Sequence, residues 1–506
     1  MRTKWQLLFG VALMVTSASA VIASERESVG PITVANAPMA DTPEPSLNSP
    51  IVERPTDPAT SKQQSSETTS DNAVVVVVLG GDLGFGGSNQ SVDPTGAFRH
   101  GRKEVWQVLT DGIASVFDGD INFANLETVV TDSNDLRANP KSFNFKSHPA
   151  AINHIARLGL NVVSTANNHA VDYGDAGLRE TLRHLEGAAA HGLAAWPGIG
   201  IGREQASRPA DVTVNGARVR ISAIGIGGGG MPEGEASGSR KGAGMLNYNR
   251  AEDFSETVAR LADAQGDLRI LSVHYGAELQ VRASLSDAAK LRDQAAKGSG
   301  IDIVVGHHAH VAAGVQRVDG KLVLYGLGNL LHPGMQDMAQ LGICRDYGLV
   351  IRVLFSRDAA GKLTPGAIEA VPLTQMHARA TPLKGDAGRL RIEVLNHLAA
   401  ELDDAKVGAT GIRFASQADG TGLYCLPDAA KAPGRIGAAC KSWEPPAAPS
   451  ADVSRRIAGS CGNTLVARSR NGPGDGAKAQ PERPDLTRQK SKDEADSALL
   501  TSIFGL

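Results

Sequence analysis

Three imidazoles within four positions, His307, His308 and His310, are the residues of this chain best suited to chemistry. They follow an apolar run, Ile301 to Val305, that reads as a buried strand closed by Gly306. A second apolar run, Leu322 to Tyr325, ends in the polar turn Gly326-Leu327-Gly328-Asn329. Strand, abrupt polar loop, strand is how α/β proteins place ligands at the carboxyl ends of their strands. Three histidines on one turn are poorly explained by packing. Metal binding by at least two of them outweighs a solvated His-rich loop.

Four other apolar runs end in the same manner. Val74 to Leu79, read as a central strand buried on both faces, leads into Gly80-Gly81-Asp82, where the glycines permit a tight turn. Ile121 to Ala124 ends in Asn125-Leu126-Glu127, which alone would be an ordinary strand exit. Asn161 to Thr165 leads into Ala166-Asn167-Asn168-His169, for which an Asx turn capping the next helix is the plainer alternative. Arg269 to Val273 ends in His274-Tyr275-Gly276-Ala277-Glu278. In a mostly parallel sheet these ends share one crevice, so Asp82, Glu127, Asn168-His169, His274 and His308-x-His310 can converge. Oxygen and imidazole without thiolate suit Mn, Fe, Zn or Mg rather than Cu(I) or an iron–sulfur cluster. A carboxylate bridging two ions, ringed by amide and imidazole, would build a two-metal hydrolytic site.

Around these ends the chain alternates strands with helical spacing. Helices are expected over 102–117, 149–158, 176–190, 284–297 and 386–402, with Pro149 at a first helical position and Gly159 ending that helix. Strands are expected over 347–355 and 366–373, and a hairpin over 211–226 around Asn215-Gly216. Gly227 to Lys241 reads as a long loop whose glycines lack the GxxxxGK[ST] pattern, hence a lid or plain insertion.

Both ends of the 506-residue chain look different from its middle. Residues 1–20 have the basic start, short apolar stretch and small-residue cleavage site of a signal peptide, with no cysteine nearby for a lipoprotein anchor. Residues 21–73 read as a disordered tether and 466–506 as a disordered tail. The expected location is therefore outside the cytoplasm, periplasmic or extracellular, with membrane tethering if the signal is uncleaved. Cys344, Cys425, Cys440 and Cys461 allow three disulfide pairings, and three of the four fall in an extension over 406–465. A net charge of −3 and 4 % aromatics give no footprint for nucleic acid.

The motifs GDLGFGG, FANLETVVTD, STANNHAVDYGDAGLRETL, SVHYGAE and GHHAHVAAGVQRVDGKLVLYGLGN occur in this order. Together they resemble the CapA family of poly-γ-glutamate capsule biosynthesis proteins, itself related to calcineurin-like metallophosphoesterases. The resemblance covers roughly residues 74–376, within a domain placed at 74–405. It implies a four-layer α/β sandwich, two mixed β-sheets flanked by helices. It also implies Asp82, Asn168, His274, His308 and His310 as metal ligands, Glu127 in place of a bridging aspartate, and His169 as the acid. Asn125, Asn167, Glu278, His307 and Asn329 become supporting or substrate-contact residues. One or two divalent ions are implied, with an anionic polymer or phosphoester as substrate and membrane-bound capsule synthesis or export proteins as partners. The alternatives are a non-catalytic polymer-binding or assembly component, and a general periplasmic phosphoesterase. Two departures stand out. Leu83 and Gly84 follow Asp82 where phosphoesterases carry Asp-x-His, and Glu127 is one methylene longer than aspartate.

Overall fold

Four valines and a leucine, Val75 to Leu79, form a strand run shielded from water on both faces, preceded by half-buried Val74. This strand, β1 (Val74–Leu83), continues through Gly80, Gly81 and Asp82. The glycines therefore make no turn, contrary to the expectation from sequence. The computed structural model describes residues 74–99, 102–227, 242–358 and 361–461. The segments read as signal peptide, tether and tail, and nearly all of the 227–241 loop, lie outside the described residues.

Next come β2 (Ile121–Leu126), parallel to β1, and β3 (Val162–Ser164), parallel to β2. Between these two strands runs α1 (Pro149–Arg157), with Pro149 in its first turn and the His148 ring accepting from the Ala150 amide. Gly159, at φ 111°, follows its end. After β3 comes α2 (Gly174–Ala188). The chain then builds a second sheet from β4 (Ala217–Gly225), β5 (Leu268–His274), β6 (Ile303–His307) and β7 (Lys321–Leu324), all parallel. Helix α3 (Ala251–Asp263) lies between β4 and β5 in sequence. Ala210–Val214 pairs antiparallel with β4, with Asn215 (φ 47°) and Gly216 (φ 71°) both left-handed as a two-residue turn of this hand requires. Thereafter β8 (Asn329–Leu331) returns to lie parallel to β1, β9 (Gly348–Arg357) pairs antiparallel with β1, and β10 (Leu363–Thr374) antiparallel with β9. Helix α4 (Gly385–Ala400) follows.

The result is one nine-stranded and one seven-stranded mixed sheet. Strand periodicity shows how the second sheet is covered. Ile270, Ile303, Val305, Leu322 and Leu324 join the apolar cluster that contains β1, whereas Leu271, Val304 and Val323 join another with Phe254 and Leu261 of α3. Successive residues point to opposite faces, so one face meets the first sheet's core and the other meets helix. Residues beyond 405 contribute to both sheets: Ala409–Gly411 pairs with Val315–Val318, and Gly422–Cys425 with β10. Two disulfides, Cys344–Cys461 and Cys425–Cys440, select one of the three pairings.

The helix expected over 102–117 is not continuous. Arg102–Val105 pairs with Gly96–Arg99 as a hairpin, and only Trp106–Thr110 is α-helical before a 3₁₀ turn at Ala114–Val116. Gly112 explains the break: a Cβ there would lie 2.2 Å from the Ala380 carbonyl, so the backbone packs too closely for a helix surface. The helix expected over 284–297 starts as α at Leu285–Ala289 and widens into a π-helix at Lys290–Lys297. No helix among the described residues is long and apolar enough to cross a membrane.

Candidate metal centre

The parallel strands bring their carboxyl ends together by register. Asp82 on β1 stands opposite Asn125 on β2 and Asn329 on β8, and His274 on β5 stands opposite His307 on β6. Close approach of β8 to β1 explains the glycine before Asp82. The Asp82 amide donates to Gly328 O at 2.9 Å, and a Cβ on Gly81 would sit 1.9 Å from that same oxygen. Gly81→Ala is therefore expected to cost at least about 3 kcal/mol, as overpacking against backbone does, read as a lowered denaturation midpoint. On the other side of the crevice, His308 and His310 hold left-handed φ values of 89° and 56°. Such conformations are costly for residues other than glycine and collect at functional sites.

Asp82, Glu127, Asn168, His169, His274, His308 and His310 are all buried and all meet here. Three close-set groups have ligand atoms within 4.8 Å of one another: Glu127, His274 and His308; Asp82, Glu127 and His310; Glu278, His308 and His310. Glu127 Oε1 lies 3.5 Å from His274 Nε2 and 3.9 Å from His310 Nε2. Asn168 Oδ1 lies 2.7 Å from His274 Nε2. Neither Glu127 oxygen has a hydrogen-bond partner, nor does His308 Nδ1. A fully buried carboxylate is ordinarily well hydrogen-bonded. Here its neighbours are instead lone-pair donors, the surroundings of a cation. These groups fit a divalent metal ion.

Burial and charge set the ionisation of the cluster. Burial opposes ionisation of Asp82, yet the His307 and His310 rings beside it hold its carboxyl well below the ordinary value. Burial, then repulsion from Asp82, pushes Glu127 well above its own. Burial drives His274 down and His308 to about 3, which leaves both neutral, the form that ligates metal. His310 moves to about 10, because the charges of Glu127 and Asp82 override its burial.

The remaining sequence candidates divide by what they touch. Asn125 is a hub: its amide donates to Asp82 Oδ1 (2.9 Å), and its oxygen accepts from Ser164 (3.1 Å) and Asn167 (3.2 Å). Asn167 also accepts from the His169 amide at 3.1 Å, so the Asx turn forms at Asn167 while Asn168 faces the cluster. His307 Nδ1 lies 3.2 Å from Asp82 Oδ1, and the ring joins none of the close-set groups. Asn329 Oδ1 lies 2.9 Å from His310 Nδ1. Glu278 is half-buried at the edge.

Three contributors are not singled out by the sequence. His169 Nδ1 lies 2.7 Å from buried Asp172 Oδ2, which leaves its Nε2 facing Glu127 Oε1 at 3.8 Å. Lys141 pairs with Asp172 and donates to the Asn168 carbonyl at 2.9 Å. His332 lies behind His310, with ring centroids 5.7 Å apart. The i, i+3 spacing from His169 is a usable signal for Asp172. Lys141, in an irregular loop, and His332, after two leucines, carry no local signal.

The sequence profile of the family described as Bacterial capsule synthesis protein PGA_cap matches residues 76–333, which includes β1 through β8. A probable polyglutamine synthesis accessory protein of Mycobacterium tuberculosis is 29 % identical over 265 residues, covering 50 % of this chain and 66 % of that protein. The PGA biosynthesis protein CapA of Bacillus subtilis is 26 % identical over 208 residues, 41 % of this chain and 52 % of its own. The capsule biosynthesis protein CapA of Bacillus anthracis is 23 % identical over 209 residues, 40 % and 47 %. The chain thus spans just under two thirds of the mycobacterial relative and about half of the two from Bacillus. A solved hypothetical protein from Thermus thermophilus, 14 % identical, covers 59 % of this chain and 98 % of its own at a TM-score of 0.33, too low to carry an argument. With its profile match running through all the strand ends that meet in the crevice, the chain belongs to the bacterial capsule synthesis protein PGA_cap family.

Proposed function

We propose that this protein is a metal-dependent hydrolase of its family. In this reading it has the four-layer architecture of metallophosphoesterases and cleaves a phosphoester or amide bond in an anionic polymer such as poly-γ-glutamate. The observation that carries the proposal is Glu127: buried, with both oxygens unpartnered, and shared by two close-set groups of imidazole and carboxylate. Asp82, Glu127, Asn168, His274, His308 and His310 would hold the metal. A divalent ion there supplies a charge that polarises a phosphoryl or carbonyl oxygen and makes water a better nucleophile at neutral pH.

The chain's own groups do the rest. Asp172 orients the His169 ring through Nδ1 and leaves Nε2 facing the cluster to protonate the departing oxygen or nitrogen. Lys141 braces this pair and fixes the Asn168 backbone beside it. Asn125 keeps Asp82 in place by hydrogen bonding, and burial of the clustered side chains limits bulk water around them.

Turnover of an aryl phosphodiester in the presence of Mn²⁺ tests the reading. His169→Ala should lower it by about 10²–10⁴-fold, the usual worth of a positioned acid, with metal content unchanged. Absence of any metal-dependent cleavage of either the diester or a γ-glutamyl polymer by the wild type would sink the hydrolase proposal. Export across the membrane and association with membrane-bound capsule synthesis or export proteins belong to the same proposal. Two disulfides with no free cysteine among the described residues support an oxidising compartment.

A further inference from the structure

We infer that His332 is a metal-ligating side chain, the donor that completes the second metal position of this centre. The inference rests on the metal-centre reading above. Glu127 divides its surroundings into two positions of unequal provision. The position with His274 and His308 also has Asn168 Oδ1, which makes four protein donors, the number a tetrahedral ion uses. The position with Asp82 and His310 has three.

His332 stands beside the poorer position. It is fully buried, its backbone amide donates to Met376 O at 2.7 Å, and neither ring nitrogen has a hydrogen-bond partner. The ring is set edge-on to His310 at 5.7 Å and to Phe145 at 4.9 Å. Pairing of β8 with β1 carries it there: the Gly84 amide donates to Leu331 O at 2.9 Å, and a Cβ on Gly84 would lie 3.4 Å from His332 Nε2. The imidazole therefore fills the space that a side chain two residues beyond Asp82 would otherwise take. Phenylalanine would fill the same space without leaving polar atoms unpaired, and each buried unsatisfied group is a destabilising burden. Ligation removes that burden. The His332 ring is outside the groups whose ligand atoms lie within 4.8 Å, so ligation requires the ring to move toward His310. Glu278 is the rival fourth donor, because it groups with His308 and His310. It is half-buried, so water competes for its carboxylate.

The test is calorimetric titration of the metal-stripped full chain with Zn²⁺, the tetrahedral ion of this donor count, beside thermal unfolding with and without the ion. Wild type should bind two equivalents. His332→Phe should keep one and lose the other by more than about 100-fold, beyond the range of an outer-shell change, without a lower metal-free melting temperature. A double variant, His332→Ala with Gly84→His, should regain the second equivalent, since it returns an imidazole to the same space from β1. This variant also decides the matter if His332→Phe fails to fold: a folded double variant binding one equivalent counts against the inference. Two equivalents in His332→Phe with less than about tenfold weakening overturn it. So does loss of the second equivalent in Glu278→Gln but not in His332→Phe. A wild type that binds one equivalent overturns this inference alone, and one that binds none overturns the metal-centre reading with it.

Discussion

Glu127→Gln is expected to stabilise the metal-free protein while abolishing its tight hold on metal. The two effects have opposite signs, which separates a metal ligand from a structural carboxylate. Glu127 is fully buried, faces the Asp82 carboxylate and has no hydrogen-bond donor on either oxygen. In the stripped protein it is therefore an uncompensated polar group, and a neutral isostere relieves about 1–3 kcal/mol. Asp82 remains to pair with His310, at 3.3 Å from its Nδ1. With metal present the balance reverses, because the amide lacks the charge and the second anionic oxygen that two adjoining positions share. Affinity should fall by more than about 100-fold and turnover by about 10³-fold or more. Melting curves in chelator and in Mn²⁺ read both effects. A variant less stable than wild type in chelator would mean that Glu127 holds the fold together rather than an ion.

Loss of the Cys344–Cys461 bridge should be the costliest covalent change, about 5 kcal/mol at 25 °C by the chain-entropy relation for its separation of 117 residues. The Cys425–Cys440 bridge, with a separation of 15, should cost about 3 kcal/mol. Position adds to the difference. The longer bridge anchors the helix Ala451–Ser460 through Cys461, next to buried Ile457, while Arg345 donates to Ser460 O at 3.3 Å. The shorter one joins the strand Gly422–Cys425, one in from the sheet edge, to the neighbouring helix Gly434–Cys440. Paired Cys→Ala variants compared by denaturant midpoint would rank them. A larger loss from the 425–440 pair would show that order in this strand, not loop closure, dominates. Both cysteine pairs reduced in protein isolated from cells would remove the support for export.

Much of the site is legible because strand ends are written locally. A run of β-branched and aliphatic residues followed by Gly, Asn, Asp or His marks where a buried strand meets the crevice. Asp82, Glu127, Asn168, His274, His308 and His310 all carry this mark and lie together. The failures have physical causes too. Over 102–117 the apolar spacing suits a helix, but contact between Gly112 and the Ala380 carbonyl, far apart in the chain, ends it after one turn. At Gly80-Gly81 the glycines suggest a turn, whereas Gly81 admits the Gly328 carbonyl just before β8.

What the sequence determined by itself is the inventory: buried strands, the polar residues at their carboxyl ends, and an oxygen–imidazole chemistry without thiolate. These follow from side-chain type and short-range spacing. The family resemblance separated Asn168 from Asn167, and His308 and His310 from His307, and tertiary structure brought these three to the cluster. It also brought in Lys141 and His332, which no pattern announces. The physical reason is that these choices depend on sheet register and on how one sheet's core meets the other. Asn125 and Asp82 are 43 residues apart, and His308 and Asp82 are 226 apart. The first contact is set by strand register within one sheet and the second when the two sheets close on each other, and no local propensity records either.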